Sequence, residues 1–198
     1  IVATSRPLYI AGPRIAPSIF YFKKWDDERT LDSYTEFSMG ILNADPKGRT
    51  WWRYRYDPYH LGTAYLQFSH DFDVIRTFDA ISQLYKRDNF IEATELELEH
   101  DYEVFNGFYV NVKASFSERR SLKGYKFLNI LDEAIPNNDP SAFQPYQALI
   151  GEISFNYTPF QKYMREPKRK VLLGSKFPTF YATYQRGIPG LLGSDVNH

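Results

Sequence analysis

The chain of 198 residues contains no cysteine, and this absence excludes disulfides and thiolate chemistry. It does not distinguish the cytoplasm from the periplasm or the cell envelope. An excess of either charge is also absent, because lysine plus arginine and aspartate plus glutamate both total 24. A neutral chain has no overall field that would attract nucleic acid, so we expect no nucleic-acid partner.

Long apolar runs are missing as well. No run of about 18 apolar residues occurs, so the sequence predicts no transmembrane helix. The opening residues IVATSRPLYIAGPR do not combine a basic start with an apolar core, and we do not interpret them as a signal peptide. Because an initiator methionine is absent too, we expect the chain to be a fragment of a longer polypeptide or a processed form.

Aromatic residues are plentiful, with 16 Tyr and 16 Phe, although the mean hydropathy is negative. Both soluble β-proteins and transmembrane β-barrels fit this combination, because barrel strands are apolar only at every second position. Alternation with a period of two recurs along the chain and indicates strands. It is found in RTLDSYTEFSMGIL, WWRYRYDPY, GTAYLQFSHDFDV, EATELELEHDYEVFNGFYVNVKASFSE, ALIGEISFNY and KFPTFYATYQRG. We therefore predict an all-β fold, an antiparallel meander of about eight long strands.

Three segments interrupt the alternation. RTFDAISQLYKRD, residues 76–88, has apolar residues at three- and four-residue spacing and predicts a short helix or a bulged strand. Residues 129–146 contain three prolines and several turn formers, which predict a long loop. Residues 158–170, TPFQKYMREPKRK, are predicted to form a second, basic loop.

The stretch from residue 92 to residue 118, here called the central hairpin, turns at Asn106-Gly107, a strong hairpin signal. A two-residue loop would place acidic side chains beside leucines on one face. A three-residue loop, Phe105-Asn106-Gly107, instead pairs Val104 with Phe108 and puts Gly107 where a left-handed backbone is needed. The predicted pairs are Tyr102 with Val110, His100 with Val112, Leu98 with Ala114, Leu96 with Phe116 and Glu99 with Lys113.

The two faces of the central hairpin differ in chemistry. One carries the acids Glu95, Glu97, Glu99 and Asp101, and the other carries Leu96, Leu98, Val110, Val112 and Phe116. Successive acids stand about 7 Å apart and Lys113 is the only base among them, so they belong in water. They line either the solvated face of a soluble sheet or a wet barrel lumen whose outer face touches lipid. Strands of about 11 residues favour the barrel, since a tilted membrane strand needs about 9 to 11.

The closing segment, which begins at LIGEISFNY, is the most distinctive part of the chain. It contains a strand ending in Tyr157, the sequence QKY followed by a proline, the stretch GSKFPTF and the finish YQRGIPGLLGSDV. Weaker matches are YKRDNF (85–90) and LEHDYEVFNGFY (98–109). Together these motifs, over residues 15–198, resemble a family of outer-membrane β-barrel proteins of unknown function from Bacteroides-type bacteria.

The resemblance implies that residues 1–198 are a single barrel region, part or all of a transmembrane β-barrel in the outer membrane of a Gram-negative cell. Members of this family usually carry an N-terminal carboxypeptidase-regulatory-like domain, so we expect that domain upstream and further strands after His198. The implied function is non-enzymatic, with a transport, assembly or surface-structural role and membrane lipid as the partner. The alternative is a soluble all-β ligand-binding module, either a sandwich or a small barrel.

The run WWRYRY combines indole and phenol rings with arginines. Such aromatics lie at the membrane–water interface of a barrel, although a carbohydrate-binding platform would use them as well. We predict the interfacial role, because the run joins a strand end to the turn at 44–50. The predicted interfacial aromatics are Trp51, Trp52, Tyr54, Tyr56 and Tyr102.

The basic run MREPKRKVLLGSK has two interpretations. It is either a plain solvated loop or a barrel rim that contacts lipopolysaccharide phosphate. Its cations are Arg165, Lys168, Arg169, Lys170 and Lys176.

Residue patterns for catalysis or metal binding are weak. Acids that repeat along one strand share equivalent surroundings, whereas acid–base catalysis needs two carboxyls whose pKa values are pushed apart. His70 lies beside Asp71, but neighbours in a strand point to opposite faces and cannot chelate one ion. We therefore expect no enzyme activity, no cofactor and no metal site.

Overall fold

The structure, a computed structural model, describes residues 2–9, 12–75, 86–127 and 137–195, with only the backbone described for residues 2–9. The strands in these ranges are β1 (Val2–Tyr9), β2 (Gly12–Lys24), β3 (Thr30–Gly40), β4 (Pro46–Asp57), β5 (Gly62–Val74), β6 (Phe90–Phe105), β7 (Phe108–Arg120), β8 (Tyr146–Tyr157), β9 (Lys162–Arg165), β10 (Lys170–Gly174) and β11 (Phe180–Gly187). The predicted all-β fold is confirmed. Across the described ranges, we find no helix with the length and apolar character needed to cross a membrane.

Nine of the strands form one antiparallel sheet in the order β1, β2, β3, β4, β5, β6, β7, β8, β11. From β2 to β8, each strand pairs with the strand that precedes it in the chain. The other neighbour of β8 is β11, because β9 and β10 form a separate two-stranded hairpin. The predicted antiparallel meander is therefore confirmed. Within the described ranges β1 and β11 are the two edges of the sheet, so these strands do not close into a whole barrel.

The strands are long, as the alternation of the sequence predicts. β2 to β8 contain 11 to 16 residues each, whereas the average strand of a soluble protein has about 5 or 6. A period of two places successive side chains on opposite sides of the sheet. Each long strand therefore contributes to two faces of different chemistry.

The central hairpin, β6 and β7, keeps the predicted register but closes differently. All five predicted pairs are present, including Leu98 with Ala114 and Glu99 with Lys113. The predicted three-residue loop is wrong. Phe105 pairs with Phe108, so the loop has two residues, and the register shifts between Glu103 and Phe105. Val104 is thus an extra, bulged residue, and the bulge lets the Phe105 and Phe108 rings stack with centroids 4.9 Å apart. Gly107 has the predicted left-handed backbone, with φ at 83°.

The irregular segments differ in outcome. Residues 158–170, predicted as a loop, contain β9 and the start of β10, which pair across a turn at 166–169. Residues 137–145 have no regular structure, in agreement with the predicted loop. The rest of that loop lies outside the described residues, as do Phe78, Ile81, Leu84 and Tyr85 of the segment predicted to form a short helix or a bulged strand.

The connections alternate between two ends of the sheet. We call the end with the turns at 25–29, 58–61 and 106–107 the hairpin end, because the β9–β10 hairpin also extends from it. The opposite end, which includes residues 41–45 and 121–127, is called the loop end.

Burial in this sheet is the reverse of a water-soluble core. The buried hydrophobic side chains of the described ranges are Ala16, Phe90, Ile91, Ala93, Leu122, Ala148 and Leu149, and most of them are small or lie near the loop end. Polar side chains are buried just as deeply, among them Arg14, Asp32, Ser38, Lys47 and Glu103. Soluble proteins bury charged groups only rarely. The apolar side chains must therefore lie elsewhere, and they lie on an exposed face.

Candidate functional site: the two faces of the sheet

The first face is apolar and exposed. Leu98 pairs with Leu66, and Leu66 pairs with Trp52, so one row of apolar side chains crosses three strands. Leu98, Val112 and Trp52 are 51%, 48% and 47% exposed. The predicted lipid-facing residues Leu96, Leu98, Val110, Val112 and Phe116 all belong to this apolar face. The alternation thus placed them together correctly, while their contact with lipid stays a prediction.

The second, polar face carries the predicted acids Glu95, Glu97, Glu99 and Asp101. Lys113 forms an ion pair with Glu97 at 2.7 Å, although its direct cross-strand neighbour is Glu99. The Asn111 amide donates hydrogen bonds to Glu99 at 2.6 Å and to Asp101 at 2.7 Å. Lys113, the one base that the sequence indicated, therefore balances part of the negative charge, and the neutral Asn111 amide provides hydrogen bonds to two further carboxylates.

Arginines on β4 face the acids of β6 across uncharged residues of β5. In one row across the three strands, Arg49 pairs with Ser69, which pairs with Glu95. In a second row on the same face, Arg53 pairs with Tyr65, which pairs with Glu99. Opposite charges are therefore two strand spacings apart, about 9.6 Å. Sequence reasoning missed this arrangement, because it depends on which strands are neighbours.

Trp51 lies on the polar face and not with the other predicted interfacial aromatics. Its ring centroid is 6.3 Å from Tyr34 and 6.3 Å from Tyr65, and the Arg53 guanidinium lies 5.7 Å from its ring centre. Trp51 and Trp52 therefore do not share a face, because adjacent residues of a strand point to opposite sides of the sheet, and the interfacial role of the aromatics stays a prediction.

The remaining predicted interfacial aromatics share the apolar side, mostly near the hairpin end. Tyr56 stacks on His100 with centroids 5.8 Å apart, and the Tyr56 hydroxyl lies 2.7 Å from His100 Nε2. His100 in turn stacks on Tyr102, and Tyr54 lies 6.3 Å from Tyr56. These rings form one band with polar tips, which is the composition expected at a membrane–water boundary.

A buried charged cluster occupies the loop end. Arg14, 4% exposed, donates hydrogen bonds to both Asp45 carboxylate oxygens at 3.0 and 2.9 Å. Lys47, 2% exposed, forms an ion pair with Glu92, and both cations lie over the ring of Phe72 at 5.6 and 4.9 Å. Pairing offsets the cost of removing these charges from water. The sequence offered no signal for the cluster, since Arg14 and Asp45 are 31 positions apart and Lys47 and Glu92 are 45 apart.

The loop at 121–127 covers this cluster. Leu122 packs with Phe90, and Tyr125 packs edge-on against Phe72 with ring centroids 5.5 Å apart. Burial raises the pKa of the Tyr125 hydroxyl, and the nearby Asp45 carboxylate raises it further. The hydroxyl therefore stays protonated at neutral pH.

At the hairpin end, a second buried pair fastens the β9–β10 hairpin to the sheet. Lys170 Nζ contacts both carboxylate oxygens of Glu103 at 2.5 and 2.6 Å, and their side chains are 8% and 1% exposed. The Gly107 amide donates a further hydrogen bond to Glu103 at 2.9 Å. The Tyr59 hydroxyl donates to the Pro167 carbonyl at 2.5 Å.

A polar cavity of about 700 Å³ opens beside this hairpin. Its charged lining residues are Lys24, Glu28, Asp32, Arg53, Arg55, Asp57, Arg169 and Lys170. Both signs of charge are present, so charge alone does not restrict the cavity to anions or to cations.

The basic run is largely engaged within the chain. Arg169 forms an ion pair with Glu166 at 2.6 Å, Arg165 lies over Tyr59, and Lys170 holds Glu103. Lys168 and Lys176 are exposed. In the described part of the chain, no hydrogen bond, ion pair or ring contact engages these two cations of the predicted rim.

Comparison with known protein families shows which family this chain belongs to. Residues 2–198 match the family described as "Family of unknown function (DUF5686) C-terminal domain". Because the match covers nearly the whole chain, the chain belongs to this family. No curated protein and no solved structure matches the chain.

Proposed function

We propose that this chain forms part of the wall of an outer-membrane β-barrel, with its apolar face against lipid and its polar face toward a wet lumen. The observation that carries the proposal is the inverted burial. Leu98 and Val112 are about half exposed, whereas Glu103 and Lys47 are 1% and 2% exposed. Lipid is the solvent in which such an apolar face is stable and the charges belong inside.

Strand length and the sheet edges support the same proposal. Strands of 11 to 16 residues are long enough for a tilted membrane crossing. In hydrocarbon every backbone donor and acceptor needs a partner, so the edges β1 and β11 would pair with further strands of the same wall. From the sequence motifs, we also propose that the membrane is the outer membrane of a Bacteroides-type, Gram-negative bacterium. The same motifs favour a carboxypeptidase-regulatory-like domain upstream of the barrel.

The proposed role is non-enzymatic: transport, assembly or surface structure. Lys113 and Asn111 bind acids that repeat along β6 in similar surroundings, as a hydrated wall requires. Outer-membrane lipid is the proposed partner of the apolar face. The exposed Lys168 and Lys176 are the proposed contacts for lipopolysaccharide phosphate at the hairpin end.

A soluble ligand-binding module is the second candidate function. The polar cavity of about 700 Å³ favours it, because small-molecule sites are concave and have a few convergent polar groups. In that case a partner would cover the apolar face in place of lipid. Folding in water without detergent separates the two candidates.

Leu98→Arg tests the lipid-facing assignment, with Ser115→Arg as the control. Ser115 lies on the polar face opposite Glu97, one strand away from Leu98. An arginine at the middle of the lipid face costs about 2–4 kcal/mol, whereas an arginine beside an acid in a wet lumen is tolerated. We expect Leu98→Arg to impair folding into lipid vesicles, measured by heat-modifiable gel mobility, and Ser115→Arg to fold as the wild type does.

The opposite result supports the soluble module. A wild-type protein that folds as a monomer without detergent, together with unimpaired folding of Leu98→Arg, would overturn the membrane assignment.

A further inference from the structure

Four aromatic side chains form a continuous group on the polar face, where alternation alone predicts no aromatic surface. They come from four successive strands: Phe20 of β2, Tyr34 of β3, Trp51 of β4 and Tyr65 of β5. Trp51 is at the centre, with ring centroids 6.5 Å from Phe20, 6.3 Å from Tyr34 and 6.3 Å from Tyr65. We call this group the aromatic platform.

The platform shows that the polar face is concave at this point. Phe20 and Trp51 are on strands separated by two spacings, about 9.6 Å, yet their ring centroids are 6.5 Å apart. Tyr34 and Tyr65 are tilted by only 22° and 31° from the plane of Trp51. Three rings therefore present similar orientations along a curved surface.

Polar groups surround the platform. Asp32 accepts two hydrogen bonds from Arg53 at 3.0 and 2.7 Å, which holds the guanidinium beside the Trp51 ring. The Tyr34 hydroxyl donates to Glu36 at 2.7 Å, and the Tyr65 hydroxyl donates to Gln67 at 2.6 Å. Both phenol rings are thereby fixed in place before any ligand binds.

The platform is open to solvent and continuous with the polar cavity. Phe20 is 62% exposed, and the other three rings are half-buried. Asp32 and Arg53 belong both to the rim of the platform and to the lining of the cavity. The platform draws its rings from four strands, with centroid distances of 6.5 Å from Phe20 to Trp51 and 6.3 Å from Trp51 to Tyr65, an extent that suits an extended ligand and not a single small ion.

We propose that the aromatic platform binds an oligosaccharide. Sugar rings present C–H groups on their faces, which pack on aromatic rings, and hydroxyls at their edges, which hydrogen-bond to carboxylate, amide and guanidinium groups. The platform and its rim supply both kinds of contact. Single-stranded nucleic acid also stacks on aromatic rings, but the acids Asp32 and Glu97 are paired with Arg53 and Lys113, so the surroundings of the platform are of mixed charge and not the positively charged groove that phosphates need. The inference holds whether lipid or a protein partner covers the apolar face, so it does not depend on the proposed function.

The two adjacent tryptophans give the experiment a matched control. Trp51 is on the platform, whereas Trp52 is on the opposite face and 47% exposed. The folded protein is titrated with maltohexaose, cellohexaose and chitohexaose, and binding is measured by calorimetry. At least one of these probes should bind, and Trp51→Ala should weaken its binding by about tenfold or more, since a full aromatic contact is lost. Trp52→Ala should bind as the wild type does.

Fluorescence provides a second readout in a protein with Trp25→Phe and Trp52→Phe, where Trp51 is the one remaining tryptophan. Probe binding should then change the Trp51 emission. Heat-modifiable mobility checks that each variant is folded, and Trp51→Phe, which keeps a ring, should retain most of the affinity if Trp51→Ala fails to fold. The inference is overturned if none of the three probes binds, or if Trp51→Ala and Trp52→Ala bind equally well. Binding of single-stranded DNA in place of the saccharides would also overturn it.

Discussion

Buried charges at the two ends of the sheet each have a partner from a distant part of the chain. Glu103 and Lys170 are 67 positions apart, and Arg14 and Asp45 are 31 apart. A buried ion pair contributes little net stability, because the cost of desolvation offsets the attraction. Breaking it by removing one partner is costly, since the other charge remains buried. These pairs therefore determine which segments sit on the sheet more than they determine its overall stability.

Glu103→Ala tests this view at the scale of one residue. We expect it to lower the free energy of unfolding by about 3–5 kcal/mol, because Lys170 is left buried without a counter-charge. Arg169→Ala is the control, since its pair with Glu166 is exposed and worth less than about 1 kcal/mol. Urea unfolding of the protein inserted in lipid vesicles measures both variants.

The double variant Glu103→Leu with Lys170→Leu shows whether charge is responsible. It should recover much of the stability that Glu103→Ala loses, because no unpaired charge remains. A Glu103→Ala variant as stable as Arg169→Ala would contradict the argument.

At the scale of the elements, the turn of the central hairpin requires glycine at position 107 for two reasons, its backbone conformation and its close contact with Thr158. Gly107 adopts a left-handed backbone, and a Cβ at this position would collide with the Thr158 carbonyl oxygen. Thr158 donates its own amide hydrogen bond to the Gly107 carbonyl at 2.8 Å. The turn between β6 and β7 and the segment leaving β8 are therefore packed backbone to backbone at Gly107 and Thr158, and the Asn106 side-chain amide donates a further hydrogen bond to the Gln161 carbonyl at 2.7 Å.

Gly107→Ala should destabilise the protein more than Gly124→Ala does. Both glycines have positive φ, at 83° and 91°, so alanine is strained by about 1–2 kcal/mol at either position. A Cβ at Gly124 meets nothing within 4 Å, whereas the Cβ at Gly107 forces the turn away from Thr158. The difference between the two unfolding midpoints isolates that contact, and equal midpoints would show that the turn moves freely.

At the scale of the whole molecule, the sheet is open between β1 and β11 in the described ranges. An unpaired edge is unstable in hydrocarbon, where no water can satisfy its N–H and C=O groups. If the proposed barrel wall is correct, both edges pair with further strands when the protein is in a membrane.

Hydrogen–deuterium exchange in detergent micelles tests this closure. Every second amide of β11 points away from β8, and we expect these amides to exchange as slowly as the inner amides of β7. Pairing with a neighbouring strand is the reason, because a bonded amide exchanges only after local opening. Exchange as fast as that of the loop residues 137–145 would show an exposed edge and count against a closed wall.

The strand pattern and the central register could be predicted from the sequence because both depend on local rules. Side chains alternate with a period of two, so matching of the faces excludes registers shifted by one residue, and the turn signal at Asn106-Gly107 then selects the register that pairs Leu98 with Ala114. The same local reasoning missed the bulge at Val104 and the hairpin formed by β9 and β10. Each depends on contacts with a partner, the Phe108 ring in the first case and Glu103 in the second.

By itself, the sequence determined the all-β fold, the long strands and the division of β6 and β7 into an acidic and an apolar side, since these follow from neighbouring residues along one strand. Only the tertiary structure decided what lies beside what across the sheet. Trp51 joins Tyr34 and Tyr65 instead of Trp52, and the arginines of β4 face the acids of β6. Strand order and curvature produce these neighbours, and neither is written in the alternation of a single strand.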